Sequence, residues 1–157
     1  MAARRNIDCL RAIDRAWNER RWLDYGEFLS ESLIAYANGD PVPHGKAEHL
    51  VRARSFCEAF PESVLHADRY LTLFASPDGN FTCSIVRLTG TAVCTMELPG
   101  GMAPVPFRRQ FDITVVRVSE WQARKVIERR DYFDLELLER QIRRDCATPE
   151  DPKRATE

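Results

Sequence analysis

The spacing of apolar residues along the chain changes period more than once. Over 4–18, Ile7, Leu10, Ile13 and Trp17 recur at intervals of three, three and four, the stripe of one helix face. Asp14 borders that stripe, and Arg and Asp residues fill the other side. Trp22, Tyr25 and Leu29 predict a second short helical segment over 22–29. SLIAYANG reads as a short strand closed by Asn38-Gly39, and the loop over 40–45 contains Pro41 and Pro43. Leu50, Val51, Ala53, Phe56 and Cys57 give a third helix its apolar side over 46–60, and Pro61 stops it.

Strand patterns follow, over 63–75, 81–96 and 107–118. Ser76-Pro77-Asp78-Gly79 supplies one turn and a Gly/Pro-containing loop after Leu98 another. The segment around Glu120-Trp121-Gln122 turns the chain into the stretch 124–142. There, Val126, Glu128 and Arg130 alternate with Ile127, Arg129 and Asp131, which predicts a strand. Leu135, Leu138 and Ile142 are then spaced as on a helix, and Asp134 stands at the join as an N-cap. Strands joined by tight turns are antiparallel, and helices segregated from them give an α+β fold. The expected architecture is a strongly curved antiparallel sheet wrapped around N-terminal helices, with a cone-shaped pocket between them. One domain is expected over 1–146, and the polar tail 147–157 is expected to be disordered.

Composition narrows the function. The 157 residues suffice for one domain with a sizeable core, and a formal net charge of −1 argues against a general binder of nucleic acid or anionic membrane. No apolar run is long enough to cross a bilayer, and the N-terminus has no apolar segment of the secretory kind. The five cysteines and three histidines show no metal-ligand spacing, so reduced thiols, no bound metal and a cytoplasmic location are expected. His44 and His49, in a loop and on an early helical turn, read as surface residues.

The candidate chemistry sits on strand positions that a plain core does not explain. Arg87 is the single charge on one face of the strand over 83–96, and Asp112 lies on the polar face of the next. If that face looks into the cavity, Asp112 meets Arg87 or Arg129; if it looks to water, it is a solvated face. Tyr36 and Asn38 share one side of a strand end, where they could hold a water or a substrate oxygen; turn chemistry for Asn38-Gly39 and core packing for Tyr36 are the simpler explanation. Arg129 and Asp131 at the end of a central strand are either a buried ion pair or a site.

Arg130-Asp131-Tyr132-Phe133-Asp134, followed by Leu135, Leu138 and Gln141-Ile142, resembles the C-terminal signature of the SnoaL-like superfamily, with its nuclear transport factor two-like cone fold. The resemblance runs from about residue 4 to 142, and Ala59-Phe60-Pro61 and Thr89-Gly90-Thr91 are similar to segments of its ester-cyclase-like members. Comparison with the limonene-epoxide-hydrolase branch implies Tyr36 and Asn38 as the water-holding pair, Asp131 as base and Arg87 as bridging arginine. Thr89 stands where that branch has its acid, which leaves Asp112 as the substitute. Comparison with the polyketide cyclases implies instead a single acid/base aspartate, matched by Asp134 with Asp131 three residues before it. Arg130 stands where those proteins often have tryptophan, which implies an anionic or oxygen-rich ligand.

The resemblance therefore implies a cofactor-free acid/base enzyme of cyclase, isomerase or lyase type acting on a small hydrophobic oxygenated molecule. Asp131, Asp134 and Arg87 are its catalytic candidates. Tyr36, Asn38, Thr89, Asp112, Arg129 and Trp17 are its substrate-binding candidates. An epoxide hydrolase with altered acid and a non-catalytic ligand-binding protein of the same fold are the alternatives. A homodimer or higher homo-oligomer is also implied. On this reading Asp131, Arg87 and Asp112 line one cavity.

Overall fold

A computed structural model describes residues 1–98 and 102–143, with side chains placed over 1–92 and 108–142. The expected tail lies outside the described residues, as do residues 99–101 of the loop expected after Leu98. The described elements are α1 (Ala2–Asn18), α2 (Trp22–Glu27), β1 (Leu29–Ala37), α3 (Lys46–Ala59), β2 (Val64–Leu65), β3 (Thr72–Ala75), β4 (Phe81–Leu98), β5 (Met102–Gln122), β6 (Lys125–Phe133) and α4 (Leu135–Arg143). The strands make one curved, open sheet in the order β1-β6-β5-β4-β2, and β3 pairs with β4 beside β2. β1 runs parallel to β6, and every other described pairing is antiparallel. Helices α1–α3 cover the concave face, which makes the α+β cone expected from the pattern.

The long expected strand over 63–75 is two short strands. Leu65 pairs with Leu88 and Thr72 with Ile85, so residues 66–71 make an excursion opposite only three steps of β4. That excursion brings Tyr70 down onto α1, where its hydroxyl donates to Asp14 at 2.6 Å. The turn expected near Glu120 falls later: β5 continues to Gln122, and Ala123 and Arg124, both at positive φ, form a two-residue hairpin loop.

A bulge in β6 determines what faces the cavity. Trp121 pairs with Val126 but Glu120 pairs with Glu128, so Ile127 is an extra residue without an opposite number. Simple alternation puts Val126 on the face opposite Arg129 and Asp131. The bulge moves it, so that Val126 (fully buried), Arg129 and Asp131 all point inward. Leu10 and Ile13 of α1 and Val86 of β4 complete the deepest layer. Each such side chain contributes about 1.5–3 kcal/mol on burial.

At the other end, Gly90 of β4 faces Phe111 of β5, and the Phe111 ring lies edge-to-face against Phe56 and Phe60. A Cβ on Gly90 would sit 2.5 Å from that ring, which its neighbours prevent from moving aside. Gly90→Ala is therefore expected to cost about 1–3 kcal/mol, read as a lower urea midpoint.

Asp134 caps α4, its Oδ1 accepting the Leu137 N–H at 2.8 Å. Leu138 of α4 is buried and Leu137 and Ile142 pack beside the core, whereas Leu135 is half exposed. The buried face thus starts one turn later than the spacing suggests. β6 pairs with β5 only as far as Val115, and beyond it Gln141 of α4 takes the strand's place. Its Oε1 accepts the Asp112 N–H at 2.8 Å and its Nε2 donates to the Asp112 carbonyl at 3.1 Å.

Candidate active site

Between the sheet's concave face and helices α1 and α3 lies a cavity of about 240 Å³. Trp17, Phe56, Leu65, Leu88, Val115 and Phe133 form its apolar walls. Its polar lining comes from Asp131 and Arg129 of β6, Arg117 of β5, Tyr25 of α2, His49 and Arg52 of α3, and His44 from the preceding loop. Strand register explains the charges: Arg117 is paired with Asp131 and Ser119 with Arg129, so two guanidiniums and one carboxylate share the inner face at adjacent positions.

These groups form a buried chain. Tyr70 donates to Asp14, which has no solvent exposure, and Arg117 is ion-paired to the other carboxylate oxygen of Asp14. Arg117 Nε also lies 3.4 Å from Asp131, whose two oxygens each accept from Arg129 Nε at 3.0 Å. Arg129 is almost wholly buried, and its Nη1 has no hydrogen-bond partner among the described residues. Burial alone pushes the Asp131 carboxyl up, but the Arg129 and Arg117 charges outweigh it and hold the group below the usual carboxylate range. Burial also opposes the charge on Arg129, and Asp131, with Tyr25 and Asp14, more than restores it. The Tyr70 phenol is pushed up, by burial and then by the Asp14 charge. The cavity therefore holds an ionised carboxylate, and the Arg129 guanidinium against it keeps a buried Nη1 without an acceptor among the described residues.

A second, neutral chain borders the same cavity. The Tyr25 hydroxyl is 3.0 Å from His49 Nε2, and His49 Nδ1 is 3.0 Å from His44 Nε2. The three rings are nearly coplanar, with interplanar angles of 9° and 11°. His44 Nδ1 is buried and without a partner among the described residues. Burial, aided by the Arg129 charge, pushes His49 down to about 3. As pH falls below about 6.5, the unfolded chain takes up a proton at this histidine and the folded one does not. Wild-type stability should fall by about 2 kcal/mol between pH 7 and pH 5 from this group alone, measured by urea unfolding. His49→Gln should flatten that slope.

Residues 7–142 match the family of SnoaL-like polyketide cyclases. The chain belongs to that family. Solved structures repeat the SnoaL-like cone at low identity, which is evidence of fold alone. A candidate polyketide cyclase from Xanthomonas campestris pv. campestris is 14% identical with a TM-score of 0.74, covering 90% of this chain and 99% of its own. A candidate SnoaL-like polyketide cyclase from Jannaschia sp. CCS1 is 19% identical with a TM-score of 0.70, covering 94% and 95%. AclR, a candidate hydroxylase from Streptomyces galilaeus, is 16% identical with a TM-score of 0.68, covering 88% and 96%. No curated protein matches the chain.

Within this SnoaL-like cone the residues picked from sequence divide between two faces. Asp131, Arg129 and Trp17 line the cavity. Arg87 and Asp112 do not: Val86 and Leu88 point inward, as do Phe111 and Ile113, so the residues between them point out. Arg87 Nε donates to Asp112 at 2.8 Å on the sheet exterior, with both side chains about half exposed (51% and 50%). The expected shared cavity for Asp131, Arg87 and Asp112 is not built, and the idea of a relocated acid at Asp112 goes with it. Thr89 lies on the same outer face, bonded to His66 at 2.8 Å. Tyr36 stacks under the Arg130 guanidinium at 4.1 Å, away from the cavity. Asn38 extends the β1–β6 pairing, its N–H donating to the Asp131 carbonyl and its Oδ1 accepting the Phe133 N–H, both at 2.8 Å. Asp134 is an exposed helix cap.

Sequence reading passed over Asp14, Arg117, Tyr25, His44 and His49. His44 and His49, expected at the surface, are buried. The signals were present: Asp14 stands four after Leu10 and three before Trp17, Arg117 continues the run Phe111, Ile113, Val115, and His49 precedes Ala53 and Phe56 by four and seven.

Proposed function

We propose that this SnoaL-like protein is a cofactor-free acid/base enzyme that removes a proton from carbon beside a carbonyl, so as to isomerise its substrate or close a ring by intramolecular aldol addition. Asp131 is the base, and Arg129 and Arg117 hold the oxygen on which negative charge develops. The observation that carries this reading is an ionised Asp131 set against the Arg129 and Arg117 guanidiniums in the lining of a largely apolar cavity. Lowering of Asp131 by two guanidiniums weakens it as a base but keeps it deprotonated at neutral pH, and the same guanidiniums favour the enolate more as its charge grows.

Cavity size limits the substrate. A dry cavity of about 150 Å³ takes benzene. A volume of about 240 Å³ suits one or two fused rings with an oxo group at the polar end. Tetralone, a bicyclic aryl ketone, is a direct probe. In deuterated buffer the wild type should exchange the methylene protons beside its carbonyl, followed by NMR, and Asp131→Asn should not. A second reading, ligand binding without turnover, draws on the double engagement of Asp131 by arginine. It predicts a thermal shift with tetralone-like ligands and no exchange above buffer.

A further inference from the structure

We propose that Tyr25, backed by His49 and His44, is the proton donor that works against Asp131 across the same cavity. This assignment rests on the acid/base reading above. It stands on three observations. The Tyr25, His49 and His44 side chains all line the cavity that Asp131 lines. They form one unbroken line of hydrogen bonds, oxygen to nitrogen and nitrogen to nitrogen, each 3.0 Å, with the rings close to one plane. The line ends at His44 Nδ1, a buried atom with no partner among the described residues.

Three rings in a plane, joined edge to edge, carry three protons in either of two directions. In one, Tyr25 O–H donates to His49, and His44 Nδ1 bears a hydrogen. In the other, His49 Nε2–H donates to the Tyr25 oxygen, leaving its hydroxyl hydrogen for the cavity and a bare lone pair on His44 Nδ1. Neither direction carries net charge, which suits the burial of the group. A simple structural hydrogen bond needs no second histidine, and it gives no reason for a buried nitrogen left open at the end.

The steps balance. Asp131 takes the proton from carbon while Arg129 and Arg117 hold the carbonyl oxygen, and that oxygen takes the Tyr25 proton, giving a neutral enol. The charge that leaves Asp131 comes to rest on the Tyr25 oxygen, to which His49 Nε2–H donates, and His44 Nε2–H donates in turn to His49 Nδ1 and holds that tautomer. When the enol returns to ketone, the same transfers run backward and the line is reset. Tyr25 is held protonated by its burial, against the opposing charges of Arg129 and Arg117. The charged groups around the line are Arg52 and Glu48 of α3, Arg129 and Asp131 of β6, Arg117 of β5 and Asp14 of α1.

The test uses tetralone exchange with wild type, Tyr25→Phe, His49→Gln and Asp131→Asn, together with ¹⁵N-histidine NMR of the intact protein. Glutamine in place of His49 can offer Tyr25 a donor, but without the ring that His44 holds in line. Tyr25→Phe and His49→Gln should each lower kcat about a hundredfold or more, with KM nearly unchanged. NMR should show His44 and His49 neutral at pH 7, and the His49 Nε2 signal should move in Tyr25→Phe. Wild-type rates in Tyr25→Phe, beside a dead Asp131→Asn, would overturn the donor while leaving Asp131 as base. Wild-type rates in His49→Gln would overturn the role of the two histidines. An imidazolium at His49 at pH 7 would do the same. No exchange by the wild type would remove the acid/base reading and the Tyr25 assignment with it.

Discussion

Asp14→Ala is expected to destabilise the fold by about 3–5 kcal/mol, the largest single effect on stability among these side chains. Asp14 comes from the first helix and has no exposure, yet it receives both Arg117 of β5 and the Tyr70 hydroxyl from the excursion between β2 and β3. Removing it leaves a guanidinium with 7% exposure facing Asp131 alone, at 3.4 Å. It also leaves a phenol hydroxyl without its acceptor. Replacing a buried ion pair by apolar groups of similar size costs much less than breaking it. The double variant Asp14→Leu/Arg117→Met should therefore recover a good part of the loss. The measurement is the urea midpoint of the three proteins at pH 7. A loss of under 1 kcal/mol in Asp14→Ala would mean that water or Asp131 takes over the role.

The second large effect is on rate. Asp131→Asn should lower tetralone exchange by about 10²–10⁴-fold, the range for removing a positioned acid/base group. Asparagine keeps the volume and removes the charge, so it separates chemistry from packing. It also turns an amide toward Arg129 and Arg117, and a stability loss on the order of 3 kcal/mol should accompany it. The comparison therefore belongs well below the melting temperature of the variant. Because the folded-state value of Asp131 is depressed, its stabilising contribution is complete above about pH 4 and is lost as pH falls through the depressed value. The variant should lack that part of the acid sensitivity and keep the part due to His49.

Much of the fold is legible in the sequence because helix and strand periods are local properties. The α1 stripe, the N-cap at Asp134 and the two faces of β4 and β5 are all visible in residue order. Which strand face looks inward is not local. Arg87 and Asp112 form a convincing pair on paper, and they do pair, but on the exterior. The choice was available from their neighbours: Val86 and Leu88 are stronger claims on the core than Arg87 and Thr89, so the arginine between them had to point out. The bulge at Ile127 was less accessible, since nothing in KVIERRDYF marks an extra residue. Without the bulge, alternation places the fully buried Val126 on the exterior. The histidines were missed for a different reason. A residue on the first turn of a helix reads as exposed unless the other side of its contact is known, and here that contact is Tyr25, 24 residues earlier.

The two bonds from Gln141 to the backbone of Asp112 bear on how the chain behaves among its own copies. Past Val115, β5 no longer has β6 beside it, and a long strand with unpaired N–H and C=O groups is a template for strand addition. One carboxamide satisfies both groups of Asp112, and α4 lies over the gap. The last helix thus acts as a guard against edge-to-edge self-association as well as a wall of the core. A chain cut after Asp134 would bare that edge, and its first symptom would be concentration-dependent aggregation at temperatures where the remaining sheet is still folded.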